Sequence, residues 1–290
     1  MSNTDLIIEE RSRDIGDFLV GRLIPFRKKR MVGPFIFIDH MIPTKLGPEH
    51  YMDVNQHPHI GLSTLTFLLE GEIMHEDSIG SNQRVTPESV GWMTAGKGVT
   101  HTERTPDDLR HGNEFTVHGF QIWVALPKAL EKMEPEFHYF ENTELPKWSD
   151  GPANFTLVAG KGYGKVSPVP VHSELFMIEV KTKEEYHLNT SDNLFGEIGI
   201  CVVEGEIQAC EHTVEKGNML VSKIDGQCAV VLKPNTHLLL FGGEPFPEER
   251  QIFWNFVSSD LDTLEEAKKR WKNKEFPKVP NDNTYIPMPE

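Results

Sequence analysis

Short runs of apolar and β-branched residues, separated by glycine and proline, recur along the whole chain. Clear examples are residues 34–38, 62–69, 120–124, 175–180 and 237–241. Runs of about four to eight such residues between turn formers are typical of short strands in a sandwich or barrel. We therefore expect an all-β protein.

Helical periodicity occurs near the C-terminal end of the sequence. Asp260 or Asp262 can cap the start of a helix there, acidic residues follow the cap, and basic residues occupy the far end. This charge order complements the helix dipole. The pattern predicts a short C-terminal helix whose buried face is formed by Leu261, Leu264 and Trp271.

The two halves of the chain share a local pattern. Leu-Glu-Gly-Glu-Ile at residues 69–73 and Val-Glu-Gly-Glu-Ile at 203–207 each precede a turn and a further strand-like run. Such self-similarity indicates two related β units. Residues 144–152 contain two prolines and no periodicity, which favours a boundary there. We predict an N-terminal domain over 1–143 and a C-terminal domain over 144–290, which ends in the helix.

Composition narrows the function classes. The 29 basic and 44 acidic residues give a formal charge of −15, which argues against direct binding of nucleic acid. The sequence has no apolar stretch of about 18 residues and no signal-peptide pattern at its start, so we expect a cytoplasmic protein without a membrane segment. Cys201, Cys210 and Cys228 are odd in number and lack CxxC spacing, and we expect them to be buried apolar residues.

Two short polar motifs carry the candidate chemistry. His57-Pro58-His59 and His101-Thr102-Glu103 each place two potential ligands at positions i and i+2, on one face of a strand. If the two strands are neighbours, three imidazoles and one carboxylate converge. This mixed set suits Fe(II), Mn(II), Ni(II), Cu(II) or Zn(II), and an octahedral ion would keep two positions open. The sequence predicts one divalent metal ion.

A structural interpretation stays open for the same residues, because histidines beside proline and threonine are common in loops. Three other histidines of the first half, His75, His111 and His118, are interpreted as core or rim residues rather than ligands. The second half contains only isolated histidines, at positions 172, 187, 212 and 237, and we expect no metal there.

The motifs together resemble the pirin family of the cupin superfamily. The resemblance lies in residues 57–62 (HPHIGL), 67–72 (FLLEGE) and 92–103 (WMTAGKGVTHTE), and extends to 32–35, 118–124 and 241–245. It implies a bicupin, with two antiparallel, jelly-roll-like cupin β-barrels in one chain. It also implies that a metal, usually iron, is held in the N-terminal barrel by His57, His59, His101 and Glu103.

Many pirins have Arg-Gly-Phe-Glu at 60–63, where this chain has Ile-Gly-Leu-Ser. The difference leaves Glu103 as the carboxylate ligand and alters the expected wall of the pocket.

The resemblance implies two functions, since the family includes bacterial quercetin 2,3-dioxygenases and an animal iron-dependent transcriptional coregulator. Our first hypothesis is an Fe(II) dioxygenase that takes a flavonol-like aromatic substrate and dioxygen. Glu103 would accept the substrate hydroxyl proton as the catalytic base, and Gln121 would contact the substrate. The alternative is a non-enzymatic, redox-sensing regulator that binds a protein partner. Because the duplication already provides two barrels, we expect a monomer.

Overall fold

The structure, a computed structural model, describes residues 4–15, 19–48, 50–209, 211–223 and 229–289. Strands dominate these residues, and the α-helix among them is α1, Leu261–Lys272. The all-β class with a short C-terminal helix is therefore confirmed. Among the described helices, none has the length and apolar character that crossing a membrane requires.

The strands are numbered in chain order. Those of the first half are β1 (Thr4–Glu9), β2 (Arg11–Asp14), β3 (Leu19–Ile24), β4 (Phe35–Leu46), β5 (Asp53–His59), β6 (Leu62–Glu70), β7 (Ile73–Asp77), β8 (Asn82–Val85), β9 (Val90–Thr94), β10 (Val99–Arg104), β11 (Phe115–Ala125) and β12 (Glu136–Phe140). Those of the second half are β13 (Lys147–Asp150), β14 (Ala153–Gly162), β15 (Lys165–Val166), β16 (Leu175–Thr182), β17 (Tyr186–Leu188), β18 (Glu197–Glu204), β19 (Glu206–Ala209), β20 (His212–Glu215), β21 (Asn218–Lys223), β22 (Val230–Leu232), β23 (Thr236–Gly243), β24 (Gln251–Phe253) and β25 (Phe256–Ser258).

The same sheet plan occurs in both halves. A four-stranded sheet has the order β5-β10-β7-β8 in the first half and β17-β22-β19-β20 in the second. A larger sheet has the order β12-β9-β6-β11-β4-β3-β2 in one case and β1-β21-β18-β23-β16-β14-β13 in the other. Gly71 and Gly205, which follow β6 and β18, both have positive φ, at 81° and 77°. These correspondences confirm the internal duplication.

All five apolar runs of the sequence form strands. They lie within or across β4, β6, β11, β16 and β23, and most of these strands extend beyond the apolar run. In β4, for example, Asp39 and His40 continue the strand and are buried. The hydrophobic pattern therefore located part of each strand but not both of its ends.

The helix α1 begins as predicted, because Asp260 is its N-cap and accepts a hydrogen bond from the Thr263 backbone at 3.0 Å. Leu264 and Trp271 are buried, but the prediction was wrong for Leu261, which is 64% exposed. Leu264, Ala267 and Trp271 are spaced three and four residues apart and form the buried stripe. Leu261 is the first residue of the helix, and its sequence neighbours Asp260 and Asp262 are exposed as well.

The chain divides into two compact units that are not consecutive in sequence. Unit 1 comprises Met1–Ser12, Gly21–Ile38 and Thr143–Phe246, and unit 2 comprises Arg13–Val20, Asp39–Asn142 and Pro247–Glu290. Helix α1 thus belongs to unit 2, whereas the linear division at 143/144 assigned it to the C-terminal domain. That linear division stays a prediction.

The interiors of the two units differ in chemistry. In unit 1, apolar side chains from both sheets share one core, for example Phe155, Ile178, Leu188 and Leu232. In unit 2, β5, β7 and β10 bury a set of polar side chains, namely His57, His59, His75, Asp77, Thr100, His101, Thr102 and Glu103. Cys201 is buried as predicted, while Cys210 and Cys228 lie outside the described residues. Buried polar clusters are costly unless they are paired, so unit 2 contains the candidate site.

Candidate metal centre

The two motifs lie on neighbouring strands. β5 and β10 pair antiparallel, and His57 stands directly opposite His101. The register shifts beyond this pair, so that Glu103 lies opposite Val54 and β5 carries one extra residue. Such a bulge bends its strand and changes the direction of nearby side chains. The local irregularity therefore lies between the histidine pair and the carboxylate.

Three imidazoles converge in the interior of unit 2. His57, His59 and His101 each offer a ligand nitrogen, and these nitrogens all lie within 4.8 Å of one another. The ring centroids of His57 and His101 are 4.3 Å apart, and those of His59 and His101 are 5.0 Å apart. The three side chains are 7%, 1% and 1% exposed in chain order. This is a buried, three-nitrogen cluster that could hold a metal ion.

Hydrogen bonds and burial leave these rings ready to bind a cation. The Nδ1–H of His57 donates to the Asn55 carbonyl at 2.8 Å, so its Nε2 carries the lone pair. The Nε2 of His101 is buried and has no hydrogen-bond partner among the described residues. Burial lowers the pKa of His57 to about 4, and burial together with His57 lowers the pKa values of His59 and His101 well below normal. Neutral imidazoles with free lone pairs are what a metal ion requires.

Glu103 lies beside the cluster on β10, but its carboxylate is not among the nitrogens and oxygens that meet within 4.8 Å. Its Oε1 accepts a hydrogen bond from the Thr66 hydroxyl at 3.3 Å. Burial raises the pKa of Glu103, although His75 and Thr66 act in the opposite direction. The assignment of Glu103 as fourth ligand stays a prediction.

Gln121 is connected to this carboxylate through one side chain. It lies opposite Thr66 in the β6/β11 pair, and its Oε1 is 3.0 Å from the Thr66 hydroxyl. Thr66 is buried, whereas Gln121 is partly exposed. The structure therefore places the predicted substrate contact one hydroxyl away from Glu103, and its role stays a prediction.

Sequence reasoning missed two aromatic neighbours of the cluster. His75, which we had interpreted as a core or rim residue, places its Nδ1 at 3.4 Å from the Nδ1 of His101. Trp123 packs edge-on against His59, with ring centroids 5.0 Å apart. His75 and Asp77 repeat the i, i+2 pattern of the recognised motifs, and that spacing was the available signal. The other two histidines that we interpreted as core or rim residues have different surroundings. His111 is exposed, and His118 contacts His40.

Unit 1 fills the equivalent positions with apolar residues. Its strands β17 and β22 pair as β5 and β10 do, with Tyr186 opposite Leu232 and Leu188 opposite Val230. Tyr186, Leu188 and Leu232 thus take the positions of the three clustered histidines, and all belong to the apolar core. The duplicated sheet has polar ligands in one copy and packing residues in the other.

Comparison with known proteins agrees with this arrangement. Residues 18–124 match the pirin family, and residues 175–277 match the pirin C-terminal cupin domain. The chain belongs to the pirin family. A pirin-like protein of Caulobacter vibrioides is 39% identical over 291 residues, which cover 99% of each chain.

Solved pirin-like structures share the fold. A quercetin 2,3-dioxygenase from Acinetobacter baumannii superimposes with a TM-score of 0.89 at 33% identity, covering 98% of this chain and 95% of that one. A bacterial pirin from Escherichia coli, in complex with nickel(II), has a TM-score of 0.64 at 18% identity over 83% and 99% of the two chains. At that identity the second match shows the fold alone. The expected pirin membership and two-domain cupin fold are confirmed.

Proposed function

We propose that this pirin is a metal-dependent dioxygenase that cleaves a flavonol-like substrate, with Fe(II) as the resident ion. The observation that carries the proposal is the cluster of three buried, uncharged imidazoles with free lone pairs at His57 and His101. The 33% identity to a quercetin 2,3-dioxygenase over 98% of the chain supports the substrate class.

His57, His59 and His101 would hold the ion, and Glu103 would complete the ligand set. A bound ion of this kind supplies Lewis acidity toward a substrate oxygen and open positions for exogenous ligands. The lowered pKa values of the three imidazoles mean that few protons compete for their nitrogens near neutral pH. Dioxygen is the oxidant and supplies both inserted oxygen atoms, so the reaction needs no external reductant.

The protein groups beside the cluster act on the substrate proton. Burial raises the pKa of Glu103, which makes its carboxylate a stronger base toward a phenolic hydroxyl. Thr66 fixes Oε1 of that carboxylate and also contacts Gln121, whose amide group can hydrogen-bond a substrate oxygen. Trp123, packed against His59, supplies an apolar surface that keeps water from the ligand rings.

The proposal is tested with metal-free protein reloaded with Fe(II), and in parallel with Mn(II), Ni(II), Cu(II) or Zn(II). Quercetin is added in air-saturated buffer, and loss of flavonol absorbance is followed together with oxygen uptake. We expect one dioxygen consumed per flavonol and a fall of about 100-fold or more in rate for His101→Ala. His212→Ala, an exposed histidine of unit 1, is the matched control and keeps the full rate.

Stoichiometric metal binding without turnover would overturn the enzymatic proposal and would favour the regulatory alternative. A rate that survives in His101→Ala would show that the oxidation occurs outside this cluster. Free metal salts without protein measure the background oxidation of quercetin.

A further inference from the structure

A chain of two hydrogen bonds connects a buried carboxylate to the candidate ligand His101. His75 and Asp77 lie on β7, which pairs with β10 so that Asp77 stands opposite His101. The Nε2 of His75 is 3.1 Å from Oδ2 of Asp77, and its Nδ1 is 3.4 Å from Nδ1 of His101. His75 and Asp77 are 4% and 0% exposed. Neither residue has a role in the function proposed above.

The Asp77 carboxylate is held in one orientation. Its Oδ1 accepts hydrogen bonds from the backbone N–H groups of Ile79 and Ser81, at 3.0 and 2.9 Å. Only Oδ2 is directed at His75. Burial alone would raise the pKa of Asp77, but the hydrogen bonds from His75 and Ser81 outweigh it and lower the pKa. Asp77 is therefore an anion that accepts and cannot donate.

The anion determines where each proton lies. Because Asp77 only accepts, the Nε2 of His75 must carry a hydrogen, and the Nδ1 of a neutral His75 then carries a lone pair. That lone pair accepts the Nδ1–H of His101. His101 is left with a lone pair on Nε2, which is the buried atom without a partner among the described residues. Stacking on Phe137, with centroids 4.3 Å apart and planes 14° apart, holds the His75 ring in this plane.

We propose that Asp77 and His75 are positioning residues, which hold His101 in the tautomer that presents its Nε2 lone pair to the metal. This inference rests on the metal centre of the proposed function. Carboxylates and histidines behind a ligand commonly fix its tautomer and orientation. His75 itself is not a ligand in this arrangement, because both of its nitrogens have partners.

Asp77→Asn keeps the shape of the side chain but reverses donors and acceptors along the hydrogen bonds from residue 77 to His101. The amide oxygen of the new side chain must face Ile79 and Ser81, which donate, so its NH2 group faces His75. His75 then accepts at Nε2 and carries its proton on Nδ1. His101 must accept at Nδ1, and its own proton moves to Nε2, where it blocks the metal.

The experiment measures tautomer and affinity separately. Long-range 1H–15N NMR of the metal-free protein gives the protonated nitrogen of His101, and competition with a chromophoric chelator gives the Zn(II) dissociation constant. We expect the Nδ1–H tautomer in the wild type, the Nε2–H tautomer in Asp77→Asn, and Zn(II) binding weaker by about 10- to 100-fold in the variant. Glu76→Gln is the matched control, because it removes one charge from the same strand at an exposed bond to Asn82.

His75→Phe provides a second, independent variant, since it keeps an aromatic ring on Phe137 and removes both hydrogen bonds. We expect His101 to lose its single tautomer and Zn(II) binding to weaken.

If the wild type binds one ion and Asp77→Asn binds it equally well with an unchanged tautomer, the inference is overturned and the proposed function is not. If the wild type binds no ion, the proposed function fails first and the inference fails with it.

Discussion

At the scale of single residues, the backbone at Gly61 determines how the chain leaves the ligand strand β5. Gly61 has φ +68°, and a Cβ atom there would lie 2.0 Å from the Val257 carbonyl oxygen. Its N–H donates to Gly96, and its carbonyl accepts from Leu126. A side chain at this position would have to displace backbone that is fixed on several sides.

We predict that Gly61→Ala destabilises the protein far more than Gly164→Ala does. Gly164 has almost the same φ, +69°, but nothing lies within 4 Å of its added Cβ. The left-handed backbone alone costs about 1–2 kcal/mol for alanine, and forcing a methyl group into packed atoms adds about 1–3 kcal/mol. Urea unfolding followed by circular dichroism measures the free energy of unfolding of both variants. Equal losses would show that the close contact between the added methyl group and the Val257 carbonyl does not matter.

The candidate site was partly readable from sequence at this scale. The i, i+2 spacing of His57-Pro58-His59 and His101-Thr102-Glu103 indicated ligands on one face, and the structure brings the three histidines together. The pattern could not reveal the bulge in β5 between the residues that face His101 and Glu103, because a bulge depends on the partner strand. It also did not place His75 beside the cluster, since the contact of His75 with His101 exists only through the pairing of β7 with β10.

At the scale of elements, a segment without helix or strand contacts both ligand strands, β5 and β10. We call residues 277–289 the C-terminal strap. Val279 N–H donates to Oε1 of Gln56 at 2.8 Å, and Gln56 donates to the Thr284 carbonyl at 3.0 Å. An ion pair joins Asp282 to Arg104 at 2.7 Å. Gln56 and Arg104 are the sequence neighbours of His57 and Glu103, so the strap is tied to both ligand strands.

Gln56→Ala is expected to loosen the strap, which the Gln56 backbone and Arg104 would still hold. The substitution leaves the Val279 N–H and the Thr284 carbonyl without their partner, at a cost of about 1–3 kcal/mol. Hydrogen exchange followed by mass spectrometry would show faster exchange over 277–289. Gln251→Ala, at an exposed glutamine of β24, is the matched control and should exchange like the wild type. Unchanged protection of the strap in Gln56→Ala would contradict this account.

The sequence predicted strands and helix well but gave no indication of the strap. The spacing of apolar residues along the sequence indicates which side chains of a strand or helix are buried. Asp260 caps α1 through a hydrogen bond to a residue three positions away, which is also a local signal. The strap is held by polar contacts to residues more than 200 positions away, such as Asp282 to Gln56. No local pattern encodes such contacts, which also explains why the grouping of Pro247–Glu290 with Asp39–Asn142 in one compact unit could not be predicted from the linear sequence.

At the scale of the whole molecule, charge and buried histidines have opposite effects on stability as pH falls. The formal charge is −15, so general protonation reduces the net negative charge and relieves repulsion in the folded state. The buried imidazoles act the other way. The pKa of His57 falls from its ordinary 6.5 to about 4 in the folded protein, and those of His59 and His101 fall in the same direction because of burial.

We predict that the metal-free protein loses stability between pH 7.5 and 5.5. In this window the unfolded chain takes up protons on these histidines and the folded chain does not. The free energy of unfolding therefore decreases as the pH is lowered. His57 alone accounts for about 1 kcal/mol at pH 5.5, given the folded value of about 4. Carboxylates with lowered pKa values, such as Asp77 and Asp282, titrate below this window.

Urea midpoints of metal-free protein at the two pH values measure this loss. His57→Gln should remove part of the pH dependence, whereas His212→Gln, at an exposed position of unit 1, should leave it unchanged. Greater stability at pH 5.5 than at 7.5, with the same pH dependence in His57→Gln as in the wild type, would contradict this prediction. The part of the pH dependence that His57→Gln removes therefore reports whether His57 is held neutral inside the protein before any metal arrives.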